Sequence, residues 1–231
     1  MRKYTALASS LLALAAAPAF AGGYVAPVVD VEPVVVTPAP IIAAWTGGYV
    51  GANLNYGKTN SVTQAYGGFP EGLSTRPDGA SAALRGGYDW QRGNGVFGLG
   101  AEYNFGKYED DLTYTSGANG DAITTTVGEA RLKNLGMIFV RAGYAFNDQT
   151  MAYGLLGYSH GKAEVEGMLG NVAFSESETV KGPTLGIGAE HRFNENWSGY
   201  AEYAHTRFGT VGNLNEKLKL DQVKLGVNFR F

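Results

Sequence analysis

Three histidines, His160, His191 and His205, are the only imidazoles in this 231-residue chain, and it has no cysteine. Acid–base or nucleophilic chemistry would be built around them, with base and nucleophile in hydrogen-bond reach. Ser159 precedes His160, but adjacent residues of a strand project to opposite faces and cannot pair. No spacing of His, Asp and Glu resembles a metal site. The run Glu109-Asp110-Asp111 could attract a divalent cation, yet a carboxylate run without ordered partners reads better as a solvated loop edge. Gly98/Gly100 and Gly186/Gly188 fall in strand-like segments with no helix following, so they are not nucleotide fingerprints. The expectation is no catalytic residue, no metal and no cofactor: not an enzyme.

A different chemistry, ion pairing, is carried by Arg85, Asp89, Glu102, Arg141, Glu190, Arg192, Glu202, Lys224 and Arg230. Each lies in a stretch of alternating apolar and polar residues, on the polar side. The clearest stretch ends the chain: Val223, Leu225, Val227, Phe229 and Phe231 on one face, Gln222, Lys224, Gly226, Asn228 and Arg230 on the other. Eight such strands are read: Thr46–Tyr56, Ala82–Trp90, Val96–Lys107, Arg131–Phe146, Thr150–His160, Val180–Phe193, Trp197–Phe208 and the terminal one. The fifth alternates least cleanly, with Met151, Tyr153 and Leu155 assigned to its apolar face. Lengths near ten residues suit a tilted strand crossing a bilayer. Charges on the opposite faces would be prohibitive in a soluble apolar core and cost several kcal/mol each, about 2–4, against lipid. They fit a small polar lumen, which eight strands make just wide enough for side chains to fill. The fold expected is all-β, an eight-stranded antiparallel up-and-down transmembrane β-barrel. Its charges are read first as an internal pairing network and second as the lining of a narrow ion path.

The ends of the chain set the compartment. Arg2 and Lys3, the apolar run Ala6–Ala17 and Ala19-Phe20-Ala21 form a secretory leader, residues 1–21, expected to be cleaved after Ala21. Its removal takes the formal charge from −3 to −5, an acidity that argues against nucleic-acid binding. Residues 22–44, with Pro27, Pro33, Pro38 and Pro40, read as a semi-stiff periplasmic tether, and residues 45–231 as the barrel. The connectors Gln91–Gly95, Asn147–Gln149 and Asn194–Asn196 are tight. Lys58–Ser81, Tyr108–Ala130, Gly161–Thr179 and Gly209–Leu220 are read as long loops. Short turns on one side and long loops on the other match outer-membrane barrels and put the long loops outside the cell. Tyr56, Trp90, Tyr103, Phe105, Tyr144, Phe146, Phe193, Trp197, Phe229 and Phe231 then form interfacial girdles. The 34 glycines suit a crowded interior, where missing side chains make room for neighbours.

Trp45–Gly57 (WTGGYVGANLNYG), Arg141–Phe146 (RAGYAF), Asn196–Tyr203 (NWSGYAEY) and Val227–Phe231 (VNFRF) together resemble the opacity-type outer-membrane β-barrel proteins, the small "porin family" barrels of alphaproteobacteria. The resemblance covers Trp45 to Phe231. It implies a barrel similar to the transmembrane domain of OmpA, and a terminal Phe that, with Val227 and Phe229, is read by the barrel-assembly machinery. It supplies no catalytic residues. The lipid A deacylase barrels carry a His-x-Ser pair, whereas His205 here is followed by Thr206 and Arg207. The function expected is structural and surface-exposed, in envelope integrity and as a surface antigen. The alternatives are a narrow porin for small solutes or ions, and an adhesin binding a host or surface ligand through its loops. The partners expected are outer-membrane lipid and lipopolysaccharide and the assembly machinery, with no nucleic acid.

Overall fold

The computed structural model describes residues 44–65, 72–116, 123–169, 171–210 and 217–231. The expected leader, 1–21, and all but the last residue of the expected tether, 22–44, lie outside them. Eleven strands follow in order: β1 (Gly47–Thr59), β2 (Val62–Ala65), β3 (Gly72–Thr75), β4 (Asp78–Arg92), β5 (Gly95–Asn104), β6 (Lys107–Ser116), β7 (Ile123–Ala145), β8 (Thr150–Leu169), β9 (Val172–Arg192), β10 (Trp197–Thr210) and β11 (Lys217–Arg230). Among the described residues there is no helix.

Eight of these strands close a ring, each antiparallel to its neighbours: β1, β4, β5, β7, β8, β9, β10, β11 and back to β1. The closing seam runs from Tyr49↔Arg230 to Thr59↔Leu220, so every inner backbone group of β1 finds a partner on β11 or β4. That closure is what a bilayer demands, since an open edge in hydrocarbon leaves donors and acceptors unpaired. Three tight turns join strands at one end. Gly93 takes the left-handed conformation its turn requires (φ 59°). Asn147 and Asn194 each accept hydrogen bonds on Oδ1 from the backbone N–H groups two and three residues on, at 2.7–3.0 Å.

The wall follows from alternation. Val50, Leu54, Leu84, Leu99, Ile138, Val140, Leu156, Leu185, Ile187, Val223 and Leu225 point outward and are exposed, a pattern only a lipid solvent makes favourable. Two belts flank this band: Tyr56, Tyr103, Phe105, Tyr158 and Tyr203 above, and Trp90, Tyr144, Phe146, Phe193, Trp197, Phe229 and Phe231 near the tight turns. The fifth sequence-read strand, β8, departs from its expected face. Met151, Tyr153 and Leu155 are buried inside, while Leu156 and Tyr158 face out. Met151 packs with Trp45, Val96 and Ala145, and Leu155 with Met137 and Phe139. Both faces of β8 are therefore apolar, and hydrophobicity alone could not choose between them.

A second departure lies above the membrane. Where they fall among the described residues, the segments read as long loops are largely strand; residues 66–71, 117–122, 170 and 211–216 lie outside them. β8 and β9 continue past the wall as one hairpin paired from Gly161↔Val180 to Leu169↔Val172, and β6 pairs with β7 from Lys107↔Lys133 to Ser116↔Ile123. The polarity of the alternation inverts there. On β11, Lys224 and Gln222 point in below, but Leu220 and Leu218 point in above, with Lys219 and Lys217 now outside. Tyr108, Leu132, Leu135, Val180, Phe208, Leu218 and Leu220 form an apolar plug over the outer end of the lumen. β7 reaches this region through a bulge between Lys133 and Gly136, where Asn134 has φ 54° and the strand exchanges β5 for β6 as partner.

Candidate functional site

The charged side chains of the inner face meet in two layers. In the layer nearer the tight turns, Arg141 on β7 grips Asp89 on β4 through two bonds, Nε–Oδ1 at 2.9 Å and Nη2–Oδ2 at 2.5 Å. Its Nη1 donates to Glu190 Oε2 on β9 at 3.0 Å. Arg230 on β11 places Nη2 between Asp89 Oδ2 (2.9 Å) and Glu190 Oε1 (3.0 Å). Ser198 and Asn228 also donate to Glu190 Oε1, at 2.6 and 3.0 Å. The two guanidinium planes lie against rings, Arg141 over Tyr49 and Tyr153, Arg230 over Trp45 and Tyr49.

The next layer outward repeats the arrangement with other strands. Arg85 on β4 donates to Glu202 Oε2 on β10 at 3.1 Å and lies 3.3 Å from Glu102 Oε2 on β5. Lys224 on β11 donates to Glu102 Oε1 at 2.5 Å and sits 3.3 Å from Glu202 Oε1. Tyr153 and Asn53 complete the carboxylates, and Arg85 stacks over Tyr200 and Phe139. Each layer thus holds two cations and two anions and is neutral, the condition under which buried charge is tolerable. A third layer is uncharged: Asn55 Oδ1 accepts from Tyr108 Oη and Ser81 Oγ, and Gln222 and Asn104 donate to Tyr108 Oη. Glycine supplies the space. A β-carbon at Gly98 would stand 2.1 Å from Asp89 Oδ1, and one at Gly188 would stand 2.6 Å from the Tyr153 ring.

The arrangement is buried. The side chains of Arg85, Asp89, Glu190 and Glu202 are fully buried, and those of Arg141, Lys224, Glu102 and Arg230 are at most 6% exposed. Trp45 fills the end near the tight turns, fully buried and held through its backbone N–H by Gln91 Oε1 at 2.9 Å.

Of the nine charges singled out in sequence, eight meet in these layers and Arg192 does not. It shares their face, but it lies at the last position of β9, beyond the wall. There it donates to backbone carbonyls of Ala44 (2.7 Å) and Glu195 (2.6 Å). Strand parity gives the side of a residue but not its depth. Val227, Phe229 and Phe231 face outward, and the Phe231 backbone pairs reciprocally with Gly48 at 3.0–3.1 Å. The ring-bearing residues of the lumen, Trp45, Tyr49, Tyr153 and Tyr200, were not picked out in sequence. Apart from Tyr153, assigned to the outer face, the signal available was that Tyr49 shares parity with Asn53 and Asn55 on its strand, and Tyr200 with Glu202.

The histidines are dispersed. His160 and His191 are exposed on the outer wall, His191 Nδ1 beside Thr150 Oγ1 at 2.9 Å. Ser159 points inward to Thr184, away from His160. His205 Nδ1 contacts Asp221 Oδ1 at 2.7 Å, a pair the sequence did not single out, and Asp221 also accepts from the Tyr203 hydroxyl. Glu109 pairs with Lys107 and Arg131, and Asp110 accepts from the Arg76 backbone. Among the described residues no three potential metal ligands converge.

A closed antiparallel ring with an apolar exterior, aromatic belts and a charged interior is an integral β-barrel of the outer-membrane kind. Comparison with known proteins agrees. Residues 6–231 match the model of the outer membrane protein beta-barrel domain, and the chain belongs to that family. It is 31% identical over 243 residues to the 31 kDa outer-membrane immunogenic protein of Brucella melitensis, covering 96% of this chain and 99% of that one. It is 27% identical to the 22 kDa outer membrane protein of Rhizobium leguminosarum bv. viciae, covering 84% and 82%. Its fold is similar to that of the outer membrane protein OprG from Pseudomonas aeruginosa, with TM-score 0.53 and 12% identity, covering 80% of this chain and 96% of that one. The protein is an outer-membrane protein, and the expected family and eight-stranded fold hold.

Proposed function

We propose that this barrel is a closed structural element of the outer membrane that presents its projecting strands at the cell surface. The observation that carries the reading is the pair of neutral ion layers spanning the lumen. Each cross-links strands far apart in sequence, Arg85 to Glu202 and Arg141 to Asp89, and buries these four side chains. A relative named an immunogenic outer-membrane protein supports surface exposure.

The porin alternative needs a water path past Arg141 and Glu202, and both are locked into bonds on two sides. In planar bilayers the refolded protein is expected to show no steady conductance, and R141Q or E202Q to open none of defined size. A reproducible unitary conductance in the unaltered protein, altered by either substitution, would overturn the closed-barrel reading.

A further inference from the structure

Cations line the outward face just above the apolar wall, and the two sides of the barrel treat them differently. On the β6–β7–β8 side, Lys107, Lys133 and Lys162 are direct cross-strand neighbours. Carboxylates neutralise them: Glu109 lies 2.5 Å from Lys107, and Glu164 bridges Lys133 and Lys162 at 2.6 and 2.9 Å.

On the β9–β10–β11–β1 side the outward cations are Lys181, Arg207, Lys219 and Lys58, all exposed. Arg207 stands directly across from Lys219, a like-charge pair that repels unless an anion lies between. Among the described residues no ion pair includes Lys58, Lys181 or Lys219. Asp221, on the same face, is engaged by Tyr203 and by His205 Nδ1 and also attracts Lys219. Lys58 stands directly across from Asp221 and Asp78, so Lys181 and Arg207 are the cations with no carboxylate opposite them. His205 Nε2 in turn accepts from Arg207 Nε at 3.3 Å, which steadies the guanidinium.

Below, an apolar groove of about 840 Å³ crosses the wall from β4 to β10, and its β9–β10 end lies beneath Lys181 and Arg207. Gly154 and Gly186 leave it open, Val140, Leu185 and Tyr203 flank it, and His205 closes its upper end. An apolar trough topped by cations short of counter-ions has the polarity of a phosphorylated lipid standing in the outer leaflet. We propose that one phosphorylated glycolipid of that leaflet, the lipopolysaccharide type, binds here. Its acyl chains lie in the groove and its phosphates between Lys181, Arg207 and Lys219. The site is on the outer wall and does not depend on whether the lumen conducts.

The test uses the full mature chain refolded in a phosphate-free detergent, titrated with bis-phosphorylated lipid A, dephosphorylated lipid A and inorganic phosphate. Affinity and the temperature of the folded-to-unfolded gel shift are the readouts. The bis-phosphorylated lipid is expected to bind at least tenfold more tightly than the dephosphorylated one, and inorganic phosphate alone to raise no transition. R207A and K219A are each expected to weaken the phosphorylated lipid about fivefold, the effect of one cation near an anionic surface. K107Q, on the neutralised side, should leave it unchanged. If R207A does not refold, K181Q and K219Q carry the same expectation with less change in shape. Equal binding of the dephosphorylated lipid, saturation by free phosphate, or a loss in K107Q as large as in R207A would each overturn the proposal.

Discussion

The lower and upper halves of the same strands obey opposite rules. Within the membrane the outside is Leu, Ile, Val and aromatic, and the inside holds Arg85, Arg141, Lys224 and their carboxylates. Above it the inside is Leu132, Val180, Phe208 and Leu220, and the outside carries Lys107, Arg131 and Lys162 with Glu109, Glu129 and Glu164. One solvent change accounts for both: lipid takes the apolar face outward, and water takes the polar one. The ion pairs of the two halves therefore differ in worth. In the lower half they are sealed and each lost partner strands a charge. In the upper half water screens them.

The sharpest break is R141A, which leaves Asp89 and Glu190 with Arg230 as their sole shared cation. It is expected to cost about 3–5 kcal/mol, read as a lower urea midpoint for barrel unfolding in vesicles. Next is L225R, which sets a charge against mid-wall lipid and is expected to cost about 2–4 kcal/mol in the same measurement; a cost near zero would deny that this face meets hydrocarbon. Smallest is R131A in the upper half. It removes contacts to Glu109, Glu129 and Glu166, yet it should move the unfolding midpoint hardly at all, since exposed pairs give about 0–1 kcal/mol.

Acidification separates the halves in the same way. The Arg131 guanidinium donating to Glu129, and Lys133 and Lys162 donating to Glu164, hold both carboxyls below the ordinary glutamate value of 4.5. A depressed folded-state pKa gives support that is complete above the ordinary value and fades as pH falls through the lowered one. Amide protection of the β7–β8 pairing above the wall should therefore decline below that value, while the lower barrel keeps its heat-resistant gel mobility. Loss of both together would contradict the division.

The lower half was legible in the sequence because its phase is constant: Val223, Leu225 and Val227 against Lys224 and Asn228 leave one choice of face. The upper half was not, because at Asp221–Leu220 the period of two continues while its polarity reverses. Leu218 and Leu220 then look like stray hydrophobics in a loop. Met151, Tyr153 and Leu155 misled for a related reason, an apolar lumen wall on that side. The charges of the site were visible one by one, but their pairing was not. Arg85 and Glu202 are 117 residues apart, and only the ring closure brings their strands to opposite sides of one narrow interior. Arg192 had the right parity at the wrong depth.

The reversal of phase also fixes a waterline. Slide the barrel outward by one strand pair and Leu54, Leu185 and Leu225 rise out of hydrocarbon. Slide it inward and Lys58, Lys181 and Lys219 are dragged into it. Each direction is opposed by a different solvent, so the molecule floats at one height and, once inserted, has no cheap vertical motion left.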